Sequence, residues 1–246
     1  MVRAQANRIV KGSTTEDATA LGQDCIPVFG GKYIMVVGGN MQDTTGTNIG
    51  LPNKDNGIRF YNYVTPSLVP TARFQQYGNG ISLSVARDYV AVAGAGDHYL
   101  VIGGFTDFDP ANYWNLFRTT ASDKSDVIDL KLASSTTGPS LDVPRGNICA
   151  LTLNDNRVLV TGGRGGHTVI SSQNIVGTYT DNGSGVAATA FAYAKIGTLT
   201  DARYFHTCTL LQDGSVLVTG GISESGTGTF DTLSSMEIFV PRPAAD

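Results

Sequence analysis

The sequence predicts an all-β repeat protein, a β-propeller of four blades, on three observations. Four apolar runs each end in Gly-Gly, the pairs recur at near-constant spacing, and turn-forming residues stand at matching places between them. The runs are Tyr33-Ile-Met-Val-Val-Gly38-Gly39, Tyr99-Leu-Val-Ile-Gly103-Gly104, Arg157-Val-Leu-Val-Thr-Gly162-Gly163 and Ser215-Val-Leu-Val-Thr-Gly220-Gly221. Their first glycines lie 65, 59 and 58 residues apart (38 to 103, 103 to 162, 162 to 220). A single Gly-Gly carries no information; four of them, each closing a Val/Ile/Leu strand at one period, define a repeating unit.

The flanks repeat as well. Ala86-Arg87, Pro144-Arg145 and Ala202-Arg203 precede three of the pairs, with the Arg 16, 17 and 17 residues ahead of the first Gly. Between Arg and Gly stands a second β-run, such as Tyr89-Val-Ala-Val-Ala or His206-Thr-Cys-Thr-Leu-Leu. A short turn follows it, Gly96-Asp97, Asn154-Asp155-Asn156 or Gln212-Asp213-Gly214, and such residues supply the positive φ of a tight hairpin. Each unit therefore opens with a hairpin of two buried strands. Beyond the glycines a polar stretch leads to an alternating run: Ile58-Arg-Phe-Tyr-Asn-Tyr, Asp126-Val-Ile-Asp-Leu-Lys-Leu, Thr189-Ala-Phe-Ala-Tyr-Ala and Met236-Glu-Ile-Phe-Val. That alternation is expected of outer strands with one wet face.

One domain over 1–246 is expected, with units at about 14–65, 80–133, 140–196 and 199–241. No unit can bury both its faces alone, so the units must pack on one another. The run Gln5-Ala-Asn-Arg-Ile-Val-Lys11 stands where the outer strand of a preceding unit would stand. It is expected either to latch onto the last blade or to add to a blade of a neighbouring molecule.

Composition narrows the function classes. Of the 246 residues, 41% are hydrophobic and only 15% charged, against roughly 25% charged in an average soluble domain. A net charge of −4 gives no basic field for a phosphate backbone, so nucleic acid is not expected as a partner. No apolar run reaches the roughly 18 residues of a membrane-spanning helix, and no membrane insertion is expected. The N-terminus lacks the apolar core of a signal peptide, which fits the cytoplasm or a mature form. The sequon Asn182-Gly183-Ser184, with abundant Thr, Ser and Gly, points instead to an extracellular setting.

The segment Leu199-Thr-Asp-Ala-Arg-Tyr-Phe-His-Thr-Cys-Thr-Leu-Leu-Gln-Asp-Gly-Ser-Val-Leu-Val-Thr-Gly-Gly, continued by Ser235-Met-Glu-Ile-Phe-Val-Pro, resembles a kelch repeat of the galactose-oxidase type. The likeness covers about residues 20–240, weakest in the first unit, where Leu21-Gly22 replaces the Arg. The resemblance implies a propeller, with Arg87, Arg145 and Arg203 bridging adjacent blades and His206 a packing and hydrogen-bonding residue. It does not extend to radical-copper chemistry, because no Tyr-His pair or C-terminal ligand domain is present.

The remaining chemistry-bearing residues point to no catalytic set. The Gly-Gly pairs are not followed by Lys-Ser/Thr and open no helix, so they read as strand ends with positive φ rather than phosphate cradles. Cys25, Cys149 and Cys208 precede the first Gly of their units by 13, 13 and 12 residues. They read as buried free thiols in equivalent inner strands, with one cross-axis bridge as the alternative. His98 is placed in a hairpin turn and His167 on an exposed glycine-rich loop. Asp107, Asp109, Asp123 and Asp126 read as solvated loop carboxylates, lacking the Gly and terminal Glu of a calcium loop. No catalytic residue, metal or cofactor is therefore assigned. The candidate interaction surface is Tyr113, Trp114 and Phe117 in the long insert of the second unit, together with His167. A non-enzymatic module that binds a protein or a second copy of itself, as a homo-oligomer or filament, is the expected function. A glycan is the other partner class, through a lectin or a carbohydrate-oxidase-like enzyme.

Overall fold

The computed structural model describes residues 9–10, 19–20, 24–28, 33–38, 58–62, 74–75, 81–95, 97–106, 120–165, 168–169, 172–176, 193–224 and 229–242. The fold is all-β, and every regular element among the described residues is a strand. Ile9–Val10 (β1) pairs with Thr19–Ala20 (β2). Four larger antiparallel sheets follow. The first contains Asp24–Val28 (β3), Tyr33–Val37 (β4), Arg59–Asn62 (β5) and Phe74–Gln75 (β6). The second contains Ala91–Ala95 (β7), His98–Ile102 (β8), Ser125–Asp129 (β9) and Ser134–Thr137 (β10). In the third, Cys149–Thr152 (β11) and Val158–Thr161 (β12) are followed by the small hairpin Arg164–Gly165 (β13) and Thr168–Val169 (β14), then by Ser172–Val176 (β15) and Tyr193–Thr198 (β16). In the fourth, Thr207–Leu210 (β17) and Val216–Thr219 (β18) are followed by a hairpin of Ile222–Glu224 (β19) and Phe230–Thr232 (β20), then by Met236–Phe239 (β21).

The opening hairpins share one register. Ile102 faces Ala91, Thr161 faces Cys149 and Thr219 faces Thr207, so positions correspond from sheet to sheet residue by residue. The turns correspond too: Leu153 donates to Arg157 O and Leu211 to Ser215 O, both at 2.8 Å, and Asn156 and Gly214 take positive φ.

Successive side chains of a strand point to opposite faces, so each sheet carries two apolar faces. One core joins the first two sheets through Met35, Val37 and Phe60 against Val92, Val101 and Ile128. A second joins the next two through Ala93, Leu100 and Val127 against Ile148, Val158 and Val160. A third joins the last two through Leu151 and Leu159 against Val216, Val218 and Phe239. The opening strands β3, β7, β11 and β17 thus stand side by side in chain order.

Several expectations are corrected here. The described part of the N-terminal run, Ile9–Val10, pairs with Thr19–Ala20. In the third unit the strand next to β12 is β15, and the expected outer run 189–194 contributes only to β16 beyond it. The outer run of the second unit has no wet face: β9 is buried along Ser125–Ile128, because β10 flanks it and cores lie on both sides. The opening hairpin of the fourth unit is not buried on both faces, and Thr207 and Thr209 are exposed.

Cys149 and Cys208 form a disulfide between the third and fourth sheets, in place of free thiols. Their offsets from Gly-Gly differ by one residue, and a one-residue shift in a strand reverses the face. Cys149 pairs with Thr161 on the face that looks forward, while Cys208 pairs with Val218 on the face that looks back, so the two sulfurs meet.

Candidate functional site

The repeated Arg and Gly-Gly do one job in every unit. Arg87 Nη1 donates to Gly103 O at 3.0 Å, Arg145 Nη1 to Gly162 O at 3.3 Å and Arg203 Nη1 to Gly220 O at 2.9 Å. All three guanidinium groups are buried and paired with carboxylates: Arg87 with Asp126, Arg145 with Asp142, Arg203 with Glu237 at 2.8 Å. Asp126 is therefore a buried ion-pair partner, not a solvated loop carboxylate. Among the described residues, Gly103 and Asp126 lie in the same unit as Arg87, Asp142 and Gly162 in that of Arg145, and Gly220 and Glu237 in that of Arg203.

The main chain at the same Arg residues links one unit to the next. The amide of Gly104 donates to Arg145 O at 2.9 Å, and that of Gly163 to Arg203 O at 2.8 Å. The first glycines take φ of +69° at Gly38, +61° at Gly103 and +56° at Gly162. A Cβ there would stand 2.7, 2.3 and 2.4 Å from the carbonyl oxygens of Arg87, Arg145 and Arg203. Glycine is required both by the left-handed backbone and by the next unit's approach.

Immediately after these fixed points the backbone stays regular while the side chains change. Asp88 bridges Phe105, Gly146 bridges Arg164 and Tyr204 bridges Ile222, each pair joining the residue after Arg to the residue after Gly-Gly. The next residues, Tyr89, Asn147 and Phe205, take φ of +50°, +53° and +53°. Asn147 N donates to Tyr89 O and Phe205 N to Asn147 O, both at 3.2 Å, so these three strained residues run from unit to unit in one chain of bonds. Left-handed backbone at Tyr and Phe costs about 1–2 kcal/mol each, and such strain gathers at functional sites.

Around that chain the side chains form a mixed aromatic and charged group. Tyr89 meets Phe205 edge-on at 5.9 Å, and Tyr204 lies 5.3 Å from Phe205. The buried Arg164 guanidinium lies 5.7 Å from the centre of the Tyr204 ring, and its Nη2 stands 3.8 Å from Glu224. Burial raises the Tyr204 phenol above its ordinary value, keeping it a neutral hydrogen-bond donor. A cation, a carboxylate and a phenol side by side suit recognition of a small polar group. Sequence reasoning missed this group, although its signal was present: residues 88–89, 146–147 and 204–205 differ while their flanks repeat.

Other candidates are placed differently. His206 is buried, with Nε2 2.7 Å from Thr161 Oγ1 of the preceding unit. Burial, with the charge of Arg203, pushes its pKa down to about 4, so it is neutral. His98 opens β8 rather than sitting in the turn, with Nε2 3.2 Å from Asp129. Tyr113, Trp114, Phe117, His167, Asp107, Asp109, Asn182 and Gly39 lie outside the described residues. Among the described residues no three His, Cys, Asp or Glu side chains gather to hold a metal ion. Among them, too, no helix is long and apolar enough to cross a membrane.

No protein-family model matches the chain, and no curated protein matches it. Among solved structures it is similar to one described as "Structure of YjhT", with a TM-score of 0.62 and 14% sequence identity. The match covers 96% of this chain and 69% of that one. At that identity the likeness concerns the fold alone.

Proposed function

We propose that the four sheets are blades of a kelch-like β-propeller acting as a non-enzymatic protein-interaction and self-assembly module. The observation that carries this reading is the forward face of the fourth sheet, where Met236, Ile238 and Val240 are 69%, 56% and 70% exposed. An apolar face left open at the end of a stack of like faces marks an interaction surface. The recurring polar side chains support the same reading, since Arg87, Arg145 and Arg203 are engaged in structural bonds within their units and His206 in one to the preceding unit. Sedimentation velocity over a wide concentration range tests it. Growth of the mean mass with concentration is expected, and a monomer at every concentration would defeat the reading.

A second reading, a secreted carbohydrate-active protein, is favoured by the Arg164, Glu224 and Tyr204 group. Specific retention of any glycan on an array, lost in Arg164→Met, would select it. The Cys149–Cys208 disulfide supports an extracellular location for either reading.

A further inference from the structure

We propose that the forward face of the fourth sheet receives the first sheet of a second copy of this chain, so that molecules stack head to tail. The inference rests on the assembly reading above and names its partner and polarity. Its argument is positional. Met35, Leu100, Leu159 and Leu217 occupy one position, three residues before the first Gly of each unit. The first three are buried against the following sheet, whereas Leu217 is half-exposed. On the adjacent strand the partners of these residues are Phe60, Val127 and Ile238 in the first, second and fourth sheets. Phe60 and Val127 are buried, and Ile238 is open.

The glycine seats tell the same story. At Gly38, Gly103 and Gly162 the Arg carbonyl of the next unit lies within reach of a notional Cβ. At Gly220, which has the same left-handed φ of +64°, the nearest atom among the described residues is Leu233 O of its own unit at 3.9 Å. Among the described residues, the fourth unit thus presents open the apolar positions that its three predecessors cover.

The opposite end of the stack is complementary. Ile34, Tyr99, Val158 and Val216 share the position four residues before the first Gly. The last three are buried against the preceding sheet, while Ile34 of the first sheet is half-exposed. Forward faces of this chain already pack on backward faces of this chain three times. A second copy repeats that contact without any new surface being required. Two different patches meet, so the contact is heterologous and builds a ring if its rotation closes and an open filament if it does not.

The test uses the 246-residue chain with Ile238→Lys, which spoils the forward face, and Ile34→Lys, which spoils the backward face. Thermal melts followed by circular dichroism establish that each variant is folded; Ile238, being exposed, also serves alone if Ile34→Lys is unstable. In sedimentation velocity the wild type is expected to form oligomers as concentration rises. Each variant alone should bind itself at least about tenfold more weakly. Mixed in equal amounts, the two should form a heterodimer through their intact ends and nothing larger. A wild type that stays monomeric overturns both this inference and the assembly reading. If the wild type assembles and Ile238→Lys assembles equally well, assembly stands and the assigned face is wrong. If the variants are separately monomeric but do not combine, the head-to-tail polarity is wrong.

Discussion

Arg203 binds in two directions at once: its carbonyl accepts from the Gly163 amide of the third unit at 2.8 Å, while its guanidinium donates to Gly220 O of the fourth at 2.9 Å. One residue therefore joins a unit to its predecessor by main chain and to its own closing strand by side chain. The same pattern holds at Arg145, between Gly104 and Gly162.

Replacing Arg203 with Met keeps the main-chain link and removes the side-chain one. Glu237 then loses its cation while still accepting from the Thr200 amide at 2.7 Å and the Asp201 amide at 3.2 Å. Breaking a buried charge pair from one side costs about 3–5 kcal/mol. Because Glu237 is partly exposed and keeps those two amides, the lower end of that range is expected. Urea denaturation checks it; an unchanged midpoint would show that the guanidinium is not structural.

The Cys149–Cys208 bridge closes a separation of 59 residues between the third and fourth sheets. A loop of that size stabilises by roughly 4 kcal/mol when its closure entropy is removed from the unfolded chain. Thiol titration of the denatured, unreduced protein should find one free cysteine, and reduction should raise this to three. Reduction should also lower the melting temperature. Three thiols without reductant would remove the bridge from the fold.

His206 gives a pH dependence of defined sign. Its folded pKa of about 4, set first by burial and then by Arg203, lies below the ordinary 6.5. As pH falls through 6.5 the unfolded chain takes up a proton that the folded chain refuses. The stability contributed is thus complete above about 6.5 and lost as pH falls to about 4, on the order of 3 kcal/mol. Glu237, opposed by its partial burial but held below its ordinary value by the Thr200 and Asp201 amides and by Arg203, adds a loss at lower pH. Melting temperatures of wild type and His206→Gln from neutral to acid pH separate the two. The variant should lose less over the His window and the same below it; parallel curves would contradict the assignment.

The sequence contained the four units, their hairpin turns and the Gly-Gly strand ends, because each depends on local chemistry repeated at a fixed offset. Gly38, Gly103, Gly162 and Gly220 could be read as positive-φ sites for that reason. What crosses between units was less legible. The forward and backward orientation of Cys149 and Cys208 turns on a single residue of offset, which alignment on Gly-Gly blurs. The Arg residues were visible, but that their carbonyls accept from the preceding unit's glycine amides is a matter of geometry that residue type does not encode. The Tyr89, Asn147 and Phe205 chain was hidden because no propensity favours left-handed Tyr or Phe; the packed units impose it. The open face of Met236 and Ile238 is invisible in an alternating strand pattern, which looks the same whether or not a neighbour covers it.

That consecutive units meet through a glycine seat is tested most directly by comparing Gly162→Ala with Gly220→Ala in urea denaturation. Both positions have left-handed φ, +56° and +64°, so both variants bear the same backbone strain of about 1–2 kcal/mol. Among the described residues, it is at Gly162 that the new methyl meets a neighbouring unit, with Arg203 O at 2.4 Å and His206 Cε1 at 2.6 Å. Gly162→Ala is predicted to be the less stable of the two by at least about 2 kcal/mol, in line with the cost of overpacking a tight contact. Equal losses at the two glycines would contradict the seat and with it the way these units are joined.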